Sequence, residues 1–230
     1  MQHRQVPGWF GKLPALGDFA SRRLDVALLE AWDEWLAGEL AAWREADPGG
    51  WLARYLEAGS QRFLAMPGAL AADRGALCGV LMPSVDRVGR YFPLTLCYGL
   101  QRAPALDGEL HALLDWLRQL EELAVGALRD DWSVAQLEAE LERVAQHAPT
   151  WCDGADGRGT AAYGDAPAAA GPAAALLQAQ PGWIWWLGAD DELAASARRS
   201  RGLVRGGLRA LFGGADEAPS FLIDERPGRG

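Results

Sequence analysis

The chain has 230 residues, is 50% apolar with eleven tryptophans, and carries a formal net charge of −9. That much apolar residue supplies one sizeable core, and the acidity argues against general binding to a phosphate backbone. No run of about 18 apolar residues occurs, which excludes a membrane-spanning helix, and the start, MQHRQVPGWFGK, lacks the apolar core and cleavage site of a signal peptide.

The cysteines, Cys78, Cys97 and Cys152, are odd in number and widely spaced. Cys78 and Cys97 sit inside apolar runs and read as small core hydrophobes, so no disulfide framework is expected. A reducing, cytoplasmic setting is the corresponding expectation. The tryptophans read as core or edge-of-core anchors, with a partner interface as the alternative for some of them.

Residues 8–12 form a predicted short strand, after which Gly11, Pro14 and Gly17 punctuate an irregular loop. Asp18 follows Gly17, where a carboxylate accepts backbone N–H groups in a turn. Lys12, in Gly-Lys-Leu-Pro, lacks the glycine spacing and Ser/Thr of a phosphate loop. Over residues 24–45, Leu28, Leu29, Trp32, Trp35, Leu36, Leu40 and Trp43 recur at helical spacing, with Asp25 at the positive end of the helix dipole. Pro48-Gly49-Gly50 ends this helix, and residues 51–57 begin another.

Residues 61–66, 76–82 and 92–100 read as strands with too little polar alternation for a sheet with one wet face. The fold class expected is therefore α/β, a three-layer α/β/α sandwich around a central mixed sheet. Residues 107–128 form a long predicted helix with a leucine face, and Ser133 with Gln136 makes a capping box for a helix through Val144. The 149–175 stretch is Ala-, Gly- and Pro-rich and reads as a long loop with one short strand near 160–163. His147, Cys152, Asp153 and Asp156 match no zinc or calcium spacing, so no metal or other cofactor is expected. Residues 182–188 read as a Trp-rich strand bracketed by glycines. Arg198, Arg199, Arg201, Arg205 and Arg209 then cluster around a predicted helix over 202–212. They read as a solvated helix edge, or as a docking patch for an acidic partner, with membrane-surface binding a third reading.

Between the second and third of the apolar strands lies MPSVDRVGRYFPLT, residues 82–95, where charge crowds between buried runs. Ser84 is not in a Gly-x-Ser-x-Gly elbow, and none of His3, His111 and His147 is placed to serve it, which argues against a serine hydrolase. Lys12, Asp18, Ser84, Asp86, Arg87 and Arg90 form the candidate polar cluster. Arg–carboxylate pairing in it serves a structural clasp or a site for an anion or phosphoryl group, and the residues alone leave both open.

Two stretches carry a resemblance. GWFGKLPALGDFASRRL at 8–24 and GVLMPSVDRVGRYFPLT at 79–95 resemble the TagF family of type VI secretion accessory proteins. The first element maps onto Gly11, Lys12, Pro14, Gly17, Asp18 and Phe19, the second onto Pro83, Ser84, Asp86, Arg87, Gly89, Arg90, Phe92 and Pro93. Trp32 and Trp35 fit the tryptophan-bearing helix that follows the first. The resemblance covers residues 6–130 of what is expected to be a single domain over 1–230. It implies a cytoplasmic, non-enzymatic regulator that represses type VI secretion post-translationally through the forkhead-associated (Fha) scaffold protein. The stand-alone form, without the phosphatase domain fused to some members, is expected. No catalytic residues carry over. The resemblance also pairs the two motifs in space, with Asp18 and Asp86 expected to meet Arg87 or Arg90. A ligand sensor or enzyme built on that cluster, and a structural subunit of the secretion machine, are the competing functions.

Overall fold

The computed structural model describes residues 4–70, 75–152, 181–187 and 198–213. Its sheet has seven strands, β1 (Gly8–Gly11), β2 (Ala20–Arg22), β3 (Gln61–Ala65), β4 (Leu77–Met82), β5 (Leu94–Gly99), β6 (Trp183–Leu187) and β7 (Arg198–Arg201), in the order β2-β1-β5-β4-β3-β6-β7. Every pairing is antiparallel, so the sheet is antiparallel rather than mixed. Apolar runs reveal two-sided burial, but they carry no information on strand direction. The chain reaches antiparallel pairing here through a 3–4–5 meander, with β1 and β6 added outside it.

Two-sided burial itself holds. Along β4, Cys78, Val80 and Met82 enter one core while Leu77 and Leu81 enter the other. The first core is covered by α3 (Asp107–Arg129) and α4 (Val134–Ala145), whose leucines pack with Trp116 against Tyr98, ring centroids 4.9 Å apart. The second is covered by α1 (Val26–Ala46), with α2 (Trp51–Glu57) and α5 (Gly207–Phe212) beside it. This is the expected three-layer sandwich. At its centre Gly79 has no room for a side chain, because a Cβ there would lie 2.1 Å from the Leu96 carbonyl oxygen and 2.7 Å from the Phe63 ring.

Local chemistry sets the helix limits. Asp25 is the N-cap of α1, its Oδ1 accepting from the Ala27 and Leu28 amides at 2.9 and 3.3 Å. The Ser133–Gln136 capping box opens α4 as expected. The tryptophans fasten layers together by their indole N–H groups as well as by area. Trp32 donates to Thr95 Oγ1 on β5 at 2.9 Å, Trp116 to the Val144 carbonyl at 3.0 Å, and Trp186 to Ser200 Oγ at 3.1 Å. Trp35 reaches the Val204 carbonyl ahead of α5 at 2.9 Å. The tryptophan stripe of α1 is thus core.

Three expectations need comment. Residues 20–22, to which the sequence assigned no element, form β2, a short edge strand paired with β1. The arginines at 198–201 lie on β7, not at a helix edge, and α5 begins only at Gly207. The strand expected near 160–163, most of the 149–175 stretch and the chain end lie outside the described residues. No described helix is long and apolar enough to cross a membrane.

Candidate functional site

The two motif stretches meet at the end of β1. Gly11 has φ of +132°, and a Cβ on it would lie 2.2 Å from the Pro93 carbonyl oxygen, so only glycine lets the first motif press onto the second. Lys12 follows and is buried, its Nζ donating to Asp86 Oδ2 at 2.9 Å and lying 3.9 Å from the centre of the Phe19 ring. Ser84, also buried, donates its hydroxyl to the Lys12 carbonyl at 2.7 Å. The Tyr55 hydroxyl bridges the backbone of Ser84, accepting from its amide at 2.9 Å and donating to its carbonyl at 3.0 Å.

Asp86 organises the turn that follows. Its Oδ1 accepts from the amides of Val88 and Arg90 at 3.0 and 2.9 Å, and its Oδ2 from Lys12 Nζ and from Arg90 Nε at 2.7 Å. Burial alone would raise the Asp86 carboxyl. The hydrogen bonds from Lys12, from Arg90 through amide and side chain, and from the Val88 amide outweigh it and hold the group well below the usual carboxylate range. The turn is then tied to the first motif by the Arg87 amide, which donates to the Leu16 carbonyl at 3.2 Å, and by the Arg90 guanidinium on the Gly17 carbonyl. Chemically this is a clasp, and Asp86 is fully engaged by donors.

The expected pairing holds for Asp86 with Arg90 and fails for the rest. Asp18 is exposed, and among the described residues its Oδ1 accepts from the next amide, that of Phe19, at 2.8 Å and from neither arginine. The Arg87 side chain is exposed, and only its backbone enters the clasp. The buried cation is Lys12 instead, because the strand end carries it under the turn while Arg87 lies on the turn's outer side. Lys12 and Ser84 were legible as members of the cluster but not as its buried half.

Beside the clasp, between it and α1, lies a groove of about 720 Å³. Lys12 and Arg90 reach it from the clasp, and Asp33 and Arg44 from α1. Phe19 and Trp51 line its apolar side. Arg44 lies over the Trp51 ring, 4.4 Å from its centre, and Phe19 packs edge-on against Phe92 at 4.8 Å. Sequence reading assigned no role to Asp33 or Arg44, which look like ordinary solvated positions of a helix until α2 and the turn are placed opposite them.

The arginine-rich stretch is dispersed. Arg199 is buried over the Trp183 and Trp185 rings, 5.0 and 5.8 Å from their centres, and Arg198 donates to the Ala210 carbonyl at 2.6 Å. Arg201 and Arg205 are exposed and Arg209 is half-buried on α5. Beside them is a residue the sequence reading missed. Glu39, buried on α1, accepts from the Gly206 amide at 2.8 Å and the Leu208 amide at 3.0 Å, fastening the start of α5. Burial pushes its carboxyl up, against the lowering effect of those amides and of Arg205. The signal was a carboxylate inside an apolar stripe, between Leu36, Leu40 and Trp43.

Among the described residues no group of three or more His, Cys, Asp or Glu is placed to hold a metal ion. An antiparallel sheet between two helical layers, with its N-terminal loop clasped to the turn before β5, defines the protein as an α/β sandwich with a braced, charged corner. The family model described as the TagF N-terminal domain, type VI secretion system-associated, matches residues 8–144 and so spans both motif stretches. The chain belongs to that family. It is also similar to the crystal structure of PA0076 from Pseudomonas aeruginosa PAO1, at 33% identity and a TM-score of 0.69, over 91% of this chain and 95% of that one. No curated protein matches the chain.

Proposed function

We propose that the protein is a cytoplasmic, non-enzymatic regulator that represses type VI secretion post-translationally by binding the forkhead-associated scaffold protein. Family membership supports the setting. The observation that carries the non-enzymatic part is the state of Asp86, whose two oxygens accept from four donors and whose proton affinity is held low. A general base needs an accessible lone pair and a proton affinity near the working pH, and this carboxylate has neither. The motif's charges brace a surface. Overexpression in cells with an active secretion system, combined with a pull-down of the full-length scaffold, tests the reading. Reduced secretion with stoichiometric capture is expected, whereas unchanged secretion and no association in any phosphorylation state of the scaffold overturn it.

A second reading is favoured by one feature, the approach of Lys12, Arg44 and Arg90 to an open groove. In it, the groove senses a small anion. Such a ligand at 100 times its dissociation constant adds about 2.7 kcal/mol of stability, so an unchanged melting temperature in millimolar phosphate or nucleotide counts against it.

A further inference from the structure

The groove beside the clasp has a composition at odds with the rest of the molecule. The chain is acidic, at a net −9, yet the accessible charges lining the groove are Arg44 and Arg90 against the carboxylate of Asp33. The exposed Arg87 stands on the same turn. Asp86 and Lys12 are buried against each other and offset one another, which leaves the exposed Arg44 and Arg87 and the 52% exposed Arg90 side chain as the cations at the rim. The groove also offers apolar surface. Phe19 is 45% exposed and Val88 is 65% exposed at the lip of the clasp, where free apolar area is left in water. Arg44 already lies over Trp51, so its guanidinium loses little freedom when an anion meets it. Arginine and large aromatics around a concave surface are the residue types that dominate binding energy in protein interfaces.

We propose that this groove docks an acidic segment of the partner protein, with an apolar side chain seated between Phe19 and Trp51 and flanking carboxylates on Arg44, Arg87 and Arg90. The proposal rests on the reading of the chain as a scaffold-binding regulator and names the surface that reading lacks. A peptide segment suits the site better than a small ligand because exposed apolar surface continues from Phe19 on the groove's wall to Val88, which lies outside it on the turn. Charge complementarity across such a rim acts mainly on the association rate and on its salt dependence.

The test is binding of the intact chain to the full-length forkhead-associated scaffold, followed by biolayer interferometry at about 50 and about 300 mM salt. The double variant Arg44→Glu with Arg87→Glu changes two exposed side chains outside the Asp86 network and is expected to bind about tenfold or more weakly at low salt. Val88→Asp leaves every cation in place and is expected to weaken binding through the apolar lip. Asp33→Asn removes the opposing carboxylate and is expected to bind about threefold more tightly. The control, Arg118→Glu with Arg129→Glu, alters the half-exposed Arg118 and the exposed Arg129 on α3 across the sheet and is expected to bind as the wild type does. Melting temperatures read alongside show that each variant is folded. Groove variants that bind like wild type, or a control that loses as much as they do, overturn the groove proposal and leave scaffold binding standing. A wild-type chain that does not bind the scaffold overturns the functional reading, and the groove proposal falls with it.

Discussion

At the scale of single residues, the carboxylates fix how stability responds to pH. Asp86 is held below the usual range by its donors despite burial, so between that depressed value and the ordinary one, about 3.9, the folded chain binds fewer protons than the unfolded chain. Its contribution is complete above about pH 4 and is lost as the pH falls. Glu109, held down by hydrogen bonds from Arg102, and Glu138, where the Arg23 and Trp9 hydrogen bonds outweigh burial, act in the same sense. Urea midpoints measured from pH 7 to pH 3 are expected to decline steeply below about pH 4, and Asp86→Asn is expected to be less stable at pH 7 and to decline less in acid. An unaltered acid limb in that variant would falsify the account. Glu39 has the opposite sign. Burial raises its carboxyl, so the folded chain binds the extra proton and this group's contribution weakens as the pH rises above its ordinary value. Glu39→Ala leaves the Gly206 and Leu208 amides without their acceptor, and the loss is expected to be about 2 kcal/mol or more at pH 7. The thiols are shielded by the same burial. Burial pushes Cys97 up to about 12 and raises Cys78, with Cys152 and Cys97 near it, well above the ordinary thiol value. Because all three cysteines are buried, a thiol reagent at pH 8 is expected to label the folded chain no faster than it unfolds.

At the scale of elements, legibility followed the source of each element's stability. Helices α1, α3 and α4 were readable because their periodicity and caps are local, and the Ser133–Gln136 box marks the α4 start to the residue. Strands β4, β5 and β6 were readable as largely apolar runs buried on both faces, and β3 from its Phe63-Leu64-Ala65 end. Two edge strands were not. The three residues of β2 are half-exposed and gain order only from pairing with β1, and β7 reads Arg-Arg-Ser-Arg, with no apolar alternation at all. Its placement depends on pairing with β6 and on Arg199 lying across two tryptophan rings, a tertiary effect that strand propensity does not contain. The centre of the sheet offers a sharper test. Gly79→Ala puts a methyl against the Leu96 backbone oxygen and the Phe63 ring, and the backbone member of that pair cannot swing away. Overpacking typically costs about 1–3 kcal/mol, and this variant is expected at or above the top of that range. A denaturant midpoint equal to wild type would mean that β4 and β5 can separate without cost.

At the scale of the whole molecule, the clasp joins parts of the chain that are far apart in sequence, the 12–19 loop and the 84–92 turn, across the end of the sheet. That the two motifs meet was legible from their resemblance. Which charge is buried was not, because burial of Lys12 depends on the direction of the strand that carries it. Lys12 is therefore the residue through which the corner is held to the sheet, and its removal separates local order from global stability. Lys12→Met keeps the apolar stem and leaves Asp86 with its Arg90 partner, whose side chain is 52% exposed and so a weak substitute for a buried cation. The turn is then expected to open without the sheet. Native-state hydrogen exchange at the amides of Arg87, Val88, Arg90 and Phe92, all bonded within the clasp, is expected to accelerate about a hundredfold, while amides in the middle of α3 and β4 follow only the change in global stability. Uniform acceleration across the chain would show that the clasp belongs to the cooperative core. Selective acceleration, joined to weaker scaffold binding by the same folded variant, would make the clasp the brace of the groove's rim, since Phe19, Val88 and Arg90 are held in place by the turn that Lys12 anchors.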